Sequence, residues 1–410
     1  MAIKHAGYWK PKVFPVNGDV TPAEIDRLQE FRGAPTLPVD QLYEIGRYAK
    51  MCSQKRPPEV AVSQRQYEYG NLEYYLKLAN LSSGDKVELK DFDDAFVHFV
   101  GYEGLDENIF TSSILIPRGR LNGMTLSLAG PEDIIERTFD FTADTKIIWQ
   151  NNNKYFIYKR FIVESGNLGS GNISTFTVDD PSPVKDDDKN NYLWEVYRVR
   201  DGETVELVPI TDFSFDNVTG ILTVQQSEVG DVIKVYYTSS VYISGQQYHT
   251  LNDSDSYALR TYNASIYLID GVVSNYIYRL SALSIDTGFD RQDVKELGNI
   301  ETVETGSRTR TVRVSANGFT KDYALEEILR GVYGQNYGKI DIEKFKDTIA
   351  LVVKIYETSD KLTFKIGYQV ENLPVASLDK GVPVNDFLTK AVTLESDNLL
   401  ITTNESNLLI

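Results

Sequence analysis

Short runs of alternating apolar and polar residues, and not long helical stripes, dominate this chain. Ile349, Leu351, Val353 and Ile355 fall on one face of a strand, and Leu362, Phe364, Ile366 and Tyr368 on one face of the next. Residues 357–360 (Glu-Thr-Ser-Asp) supply a turn between them, so the pair predicts a hairpin. Residues 121–128 and 138–149 also read as strands, around a bend that contains Pro131. From 161 to 240 the strands are short and closely spaced, at 194–199, 204–208, 213–215, 222–224 and 232–237. The turn Asp216-Asn217-Val218-Thr219-Gly220 joins two of them. This density of turns predicts a compact immunoglobulin-like β-sandwich, read here as an insertion into a larger β-fold.

Helical spacing breaks into this pattern in a few places. Thr21 as N-cap, Pro22 at the first helical position, Glu24 in a capping box and Gly33 as stop predict a helix that presents Ile25, Leu28 and Phe31. A second helix is expected at 39–51. Phe92, Ala95, Phe96, Phe99 and Val100 have the spacing of an apolar helix stripe, behind an acidic first turn of Asp91, Asp93 and Asp94. Asp322 caps a further run of Leu325, Ile328, Leu329 and Val332. Half of the 14 prolines lie in the first sixty residues, which therefore read as a helical, proline-rich arm that docks on its own body or on a neighbouring subunit. The expected organisation is an arm at 1–60, a β-domain at 61–160 and 241–410, and the inserted sandwich at 161–240. Phe139, Phe141, Asp144 and Ile148 align at constant offset with Val392, Leu394, Asp397 and Ile401, the trace of a duplication into two β-barrels.

Charge changes the picture in one respect. Asp and Glu total 59 against 42 Lys and Arg, so a broad nucleic-acid groove is not expected, although an acidic wall can repel DNA and let it slide. Cys52 stands alone, which excludes an intrachain disulfide or a multi-cysteine metal site. No secretory leader is visible at the N-terminus and no eighteen apolar residues run together, so a chain made and used away from membranes is expected. Tyrosine is abundant, at 26, and suits surfaces that are soluble before assembly and buried after it.

Chemistry-bearing motifs are sparse. His5, His98 and His249 are scattered, and His98 reads as a structural or surface residue. There is no zinc spacing, no Gly-x-Ser-x-Gly elbow and no phosphate-binding loop. The carboxylate pairs Asp93-Asp94, Glu132-Asp133 and Glu326-Glu327 and the run at 186–188 read as solvated turns and faces. Neither 186–188 nor Asp253-Ser254-Asp255 has the spacing of an EF-hand loop. No enzyme activity, cofactor or metal is expected. Two segments read as contacts instead. Residues 286–299 mix both signs of charge around Gly288 and Gly298, as an exposed loop does. Arg308 and Arg310 lead into the strand face of Val312 and Val314, where arginine can bind carboxylates bidentately.

Residues 286–402 are where the chain resembles a family. The aspartate-rich segment ending in Leu297-Gly298-Asn299, the Thr311-Val312-Arg313-Val314 strand, the helix, the hairpin and the closing strands around Gly381-Val382-Pro383-Val384 are similar to tail tube proteins of tailed bacteriophages; 123–149 resembles another piece of that fold. The resemblance implies a mainly β, tail-tube-type barrel or sandwich with few helices. It implies subunits that form stacked rings, six per ring or three if the chain is duplicated, as the conduit for DNA ejection. The implied partners are further copies of the chain, other tail, neck and baseplate proteins, a tail sheath, and genomic DNA passing without specific binding. The contact candidates are Asp290, Arg291, Asp293, Lys295, Glu296, Arg308 and Arg310. A neck or baseplate ring protein of the same fold is the alternative within that class. A glycan-binding adhesion module is the alternative outside it.

Overall fold

The computed structural model describes residues 9–410 other than 17–21, 26, 37–38, 43–51, 56–58, 104–111, 144–147, 152–154, 179–182, 185–192, 201–203, 242–257, 271–272, 277–279, 296–301, 320–328, 331–344, 347 and 382–388. The first third holds β1 (Trp9–Pro15), β2 (Ala23–Glu24), β3 (Leu28–Thr36), β4 (Val39–Leu42), β5 (Cys52–Lys55), β6 (Glu59–Tyr67), helix α1 (Glu73–Leu78), β7 (Lys86–Glu88), β8 (Phe96–Glu103), β9 (Ser112–Leu128), β10 (Glu136–Ala143) and β11 (Ile148–Asn151). Then follow β12 (Tyr155–Ile162), β13 (Leu168–Gly169), β14 (Ile173–Thr177), β15 (Leu193–Arg200), β16 (Thr204–Leu207), β17 (Phe213–Asp216), β18 (Ile221–Val224) and β19 (Val232–Ser239). The last part holds β20 (Ala264–Asp270), β21 (Val273–Tyr276), β22 (Leu280–Lys295), β23 (Thr302–Phe319), β24 (Ile349–Tyr356), β25 (Phe364–Val370), β26 (Val375–Gly381), β27 (Thr389–Ser396) and β28 (Leu399–Thr402).

The chain is mainly β, as the alternation predicts. A branched twelve-stranded sheet carries β2-β1-β8-β9-β22-β23-β27-β26, with β11, β10, β6 and β3 joined through β9. β9 is the spine. One of its edges pairs with β8 and then β22, the other with β11 and then β10. Gly123 on β9 is required where β22 crosses close, since a Cβ there would lie 2.8 Å from the carbonyl oxygen of Thr287. A six-stranded sheet, β21-β20-β24-β25-β28-β7, packs over the large one. One core lies between them, with Leu126, Phe139, Ile285 and Val314 on one side and Leu351, Val353, Ile366 and Ile401 on the other.

The short residues 404–410 cap the far side of the six-stranded sheet. Asn404 and Asn407 donate to the Asp85 carboxylate at 2.8 and 3.0 Å, and Lys354 binds Glu405 at 2.8 Å. Leu408 sits on Gly367, where a Cβ would meet its Cδ1 at 2.6 Å. β24 is therefore buried along its whole length.

Several expectations change. Among the described residues, none of the sheets closes on itself into a barrel. The helix expected from Thr21 to Gly33 is replaced by β2 and β3, with Arg27 at φ +53° turning the chain between them. A segment this short is a marginal helix in isolation, and antiparallel pairing of β3 with β6 outweighs its capping signals. β3 pairs with β6 alone, which is the edge position that Gly33 and Pro35 tolerate. Of the helix expected at 39–51, residues 39–42 are strand β4 and the remainder lies outside the described residues. The helix expected at Phe92–Val100 is strand β8, preceded by a 3-10 turn at Leu89–Phe92. Val97 and Phe99 enter the core described above, while Phe96, Val100 and Tyr102 enter a second one. A strand buried on both faces reads as nearly continuous apolar sequence, which is how it came to imitate a helix stripe.

The 349–370 hairpin forms as expected, although Leu362 is 82% exposed in the turn instead of on the strand face. The closing pair β26–β27 forms too, and its Val382-Pro383-Val384 turn lies outside the described residues. Of the Asp322 helix only Leu329 and Arg330 are described, and both are helical. In the duplication pattern, Phe139 and Phe141 share the large sheet with Val392 and Leu394, but Ile148 and Ile401 lie in different sheets. All five strands read between 194 and 237 are present, and β12 joins them from Tyr155 onward. With β13 and β14 these form two four-stranded sheets, β12-β19-β15-β16 and β13-β14-β18-β17, that share one apolar cluster.

Candidate assembly surface and the buried junction behind it

β22 and β23 make the longest hairpin of the molecule, and it outruns its neighbours. β22 pairs with β9 only over 283–288, and β23 with β27 only over 312–319. Beyond those points, among the described residues, 289–295 and 302–311 pair only with each other. The expected loop at 286–299 is thus strand as far as Lys295. Alternating Ile285, Thr287 and Phe289 face inward at its base, which is why this half belongs to the sheet. The projecting part is a two-stranded ribbon whose outer edges have no strand partner among the described residues, and open edges are templates for pairing with another chain.

The candidate contact residues divide along this ribbon. Arg291 turns back into its own body: its Nε donates to the carbonyl of Leu121 at 3.0 Å and its Nη2 to that of Phe92 at 2.8 Å, and its Nη1 donates to the carbonyl of Asp93. Its guanidinium carbon lies 5.0 Å from the centre of the Phe289 ring. Arg310 pairs with the Asp93 carboxylate at 2.6 Å. These two arginines brace the base of the ribbon on the 3-10 turn. Asp290 is exposed. A bulge between Asp290 and Arg291 leaves Arg308 as the extra residue between Ser307 and Thr309, which re-aims the strand at the point where the ribbon leaves the body. Asp293 and Lys295 are on β22 further out, opposite Thr305 and Thr302, and Glu296 lies outside the described residues.

Behind the ribbon, the 155–239 unit is seated on the body through a whole sheet face. On β19, Lys234 and Tyr236 point toward β1 and β8, while Ile233, Val235 and Tyr237 line the shared cluster of the unit. Lys234 Nζ donates to the carbonyl of Val16 at 3.1 Å and Tyr236 Oη to that of Pro15 at 3.2 Å. Phe14, Val16, Val100, Tyr102 and Leu115 of the body complete the same apolar cluster as Tyr197, Val235 and Tyr236.

At the centre of this contact is His98, which is fully buried and not at the surface. β8 and β9 slip register here: Val97 opposes Gly119 and Phe99 opposes Ile116. Pro117 has no N–H to offer the ladder. Arg118 adopts φ +49° and donates its N–H to Nδ1 of His98 at 3.1 Å. Its side chain crosses to Glu195 on β15, with Nε and Nη2 at 3.2 and 3.0 Å from Oε1. Tyr197 Oη donates to the other oxygen of Glu195, which also lies 3.5 Å from His98 Nε2. Burial, together with the positive charges of Arg118 and Lys234, holds the His98 pKa well below the usual imidazole range. Burial and the Glu195 carboxylate push the Tyr197 hydroxyl well up.

A second buried cluster lies in the main core. Glu68, just past β6, accepts from the backbone N–H groups of Tyr69 and Gly70 at 2.9 and 2.8 Å, and from Tyr368 Oη at 2.5 Å. Arg137 on β10 donates to Glu68 at 3.3 Å and to Gln66 at 3.1 Å. Its guanidinium carbon lies 4.9 to 5.8 Å from the ring centres of Tyr69, Tyr75, Tyr74 and Phe139. Burial is the largest single influence and opposes its charge, but Glu68 with the hydroxyls of Tyr75, Tyr69 and Tyr368 together outweigh it, and its pKa is raised well above the ordinary value. Tyr75 ties the cluster to the six-stranded sheet through the Tyr368 hydroxyl at 2.8 Å.

Sequence reasoning passed over both clusters. The available signal was a charge at an inward-facing strand position: Arg137 alternates with Phe139 and Phe141, Glu195 sits between Trp194 and Val196, and Lys234 sits between Ile233 and Val235. Among the described residues, no group of three or more His, Cys, Asp or Glu side chains could hold a metal ion, and no helix is long and apolar enough to cross a membrane. His5, His249, 186–188 and 253–255 lie outside the described residues.

The chain matches no protein-family model and no curated protein. Among solved structures it is similar to the tube-terminating cap of the anti-feeding prophage, seen by cryo-EM. That match covers 40% of this chain and 100% of the cap, at 12% identity and a TM-score of 0.28. A likeness at that score carries no argument about what this chain does.

Proposed function

We propose that this chain is a structural subunit of a phage-tail-type assembly, a tail tube protein whose copies form rings that stack into a conduit for DNA. The reading is supported by the residues through which 286–402 resemble tail tube proteins. The observation that carries it is the β22–β23 ribbon, whose strands outrun every partner described within the chain. Such a ribbon satisfies its open edges by adding to the sheet of a neighbouring copy, so the barrel that one chain leaves open is completed by a ring. On this reading Asp290, Asp293, Lys295, Glu296 and Arg308 meet the neighbour. Arg291 and Arg310 hold the ribbon at the angle from which it reaches. The net charge of −17 suits a wall that repels phosphate. A neck or baseplate ring would use the same contacts.

The insertion gives the adhesion reading little support. Among the described residues, the outward positions of β14, β18 and β17 are Ile173, Thr175, Thr177, Ile221, Thr223, Ser214 and Asp216, none of them aromatic.

Negative-stain electron microscopy with light scattering tests the proposal on the full-length protein and on a variant in which residues 294–304 are replaced by Asn-Gly, which keeps the native Asp293–Thr305 pair at the new turn. Rings or tubes are expected from the parent, and monomers with unchanged thermal stability from the variant. Rings that persist without the ribbon would overturn its role. A parent that stays monomeric even when added to preformed tail baseplates would overturn the tube reading.

A further inference from the structure

We propose that the junction seating the 155–239 unit on the body is an acid-operated latch, and that His98 is the group that takes the releasing proton. The argument rests on what surrounds the imidazole when the junction is closed. Nδ1 accepts the N–H of Arg118, an interaction that a protonated ring cannot make because both of its nitrogens donate. The other nitrogen faces Glu195 at 3.5 Å, but that carboxylate is already held by the Arg118 guanidinium and by Tyr197.

Among the described residues, the charged and titratable groups on the junction side of the packed elements are Arg118 and Arg120 from β9, Glu195 and Tyr197 from β15, and Lys234 and Tyr236 from β19, whereas Arg198 and Arg200 of β15 turn to Gln225, Gln226 and Asp231. Tyr158 from β12, which packs on Tyr236, and Lys12 on β1, opposite Val100 and buried, complete the set. Positive charge already exceeds negative in this set. A further proton on His98 would add to the excess in a desolvated site and set two N–H donors against each other. Separation of the β19 and β15 faces from β1 and β8 exposes the ring to water and frees the Arg118 side chain from Glu195. The Arg118 backbone, at φ +49° beside Pro117 on β9, then gives up its bond to Nδ1, and a proton from solvent adds there with the ordinary affinity of an imidazole.

The sign follows from linkage. The open form binds the proton more tightly than the closed one, so the latch is at full strength above a pH of about 6.5 and weakens as the pH falls below it. One proton per molecule gives about a tenfold rise in the opening equilibrium for each pH unit. The Glu68–Arg137 cluster contains no histidine, so the main core has no equivalent response in this range.

Hydrogen exchange of the full-length protein, read by mass spectrometry from pH 8 to pH 5 and corrected for the intrinsic pH dependence of amide exchange, tests this. Peptides from β8, β15 and β19 are expected to open about tenfold more for each unit below about 6.5, while peptides from β24 and β25 keep their protection. In His98→Asn the amide oxygen still accepts from Arg118 but takes no proton, and the profile becomes flat. A flat wild-type profile overturns the latch, and so does a parallel loss of protection in β24 and β25. The same slope in His98→Asn assigns the release to another group and removes His98 from the role. If that variant does not fold, the contrast between junction and core peptides in the wild type still decides.

Discussion

The two buried charge clusters of this protein are alike in chemistry and opposite in position. Glu68 and Arg137 lie in the middle of one core, inside a wall of aromatic rings, and their partners come from β6, α1, β10 and β25. Glu195, Arg118 and His98 lie where two separately built sheets meet. In the first cluster, one of the Arg137 nitrogens, Nη2, has no hydrogen-bond partner among the described residues and the guanidinium is surrounded by rings, so π-faces add to the carboxylate in stabilising its charge. In the second, polar partners surround a ring that burial and its cationic neighbours hold neutral while the junction is closed. The comparison teaches that a buried ion pair is a fixed strut when every member holds its charge across the working pH range. It becomes a conditional joint when one member does not.

Three substitutions break or sharpen that contrast. Arg137→Met leaves the Glu68 charge buried without its partner and is expected to cost about 3–5 kcal/mol. Urea unfolding at pH 7 should show that loss in one cooperative transition, and Glu68→Gln added on top should recover part of it. A loss below 1 kcal/mol would mean that the cluster is a passive filler. Glu195→Gln removes the negative charge that pairs with Arg118 at the junction, leaving only a neutral amide oxygen to accept, and should cost about 1.5–3 kcal/mol, confined to exchange in β15 and β19 and sparing β24. Loss spread evenly through the chain would erase the distinction between the two sites. His98→Asn at pH 8 keeps the Arg118 hydrogen bond but gives up the edge contact with Tyr236, whose ring centre is 4.8 Å away. Differential scanning calorimetry should register about 0.5–1.5 kcal/mol for it.

What could be read in advance followed the local rules. The insertion strands, the 349–370 hairpin and the closing pair β26–β27 are half-buried or turn-bounded, so alternation marks them. β8 defied the same rule because two cores claim it, and its apolar run then has no period to distinguish strand from helix. The arm misled for another reason: Thr21, Pro22 and Glu24 are sound helix signals, but pairing with β6 is a long-range contact that no local motif reports. Junction chemistry was the least legible. His98, Arg118, Glu195 and Lys234 come from four strands spread over 137 positions, as their numbers 98 and 234 bound inclusively, and only the fold brings them together. Arg291 and Arg310 were singled out as contact candidates, but their bonds to Phe92 and Asp93 of their own chain join distant segments and had no local signal.

β9 carries one more consequence, in mechanics. Its seventeen residues are bonded to β8 and β22 along one edge and to β11 and β10 along the other. Ladder bonds run perpendicular to the strand, so a pull along β9 loads many of them side by side and none can part before the others. A tensile load entering at either end would be shared with four neighbouring strands at once. By contrast the ribbon of β22 and β23 is held across a single ladder and peels bond by bond when its tip is drawn sideways. The same molecule thus has a direction in which it is stiff and one in which it yields, and an assembly built from it would inherit both.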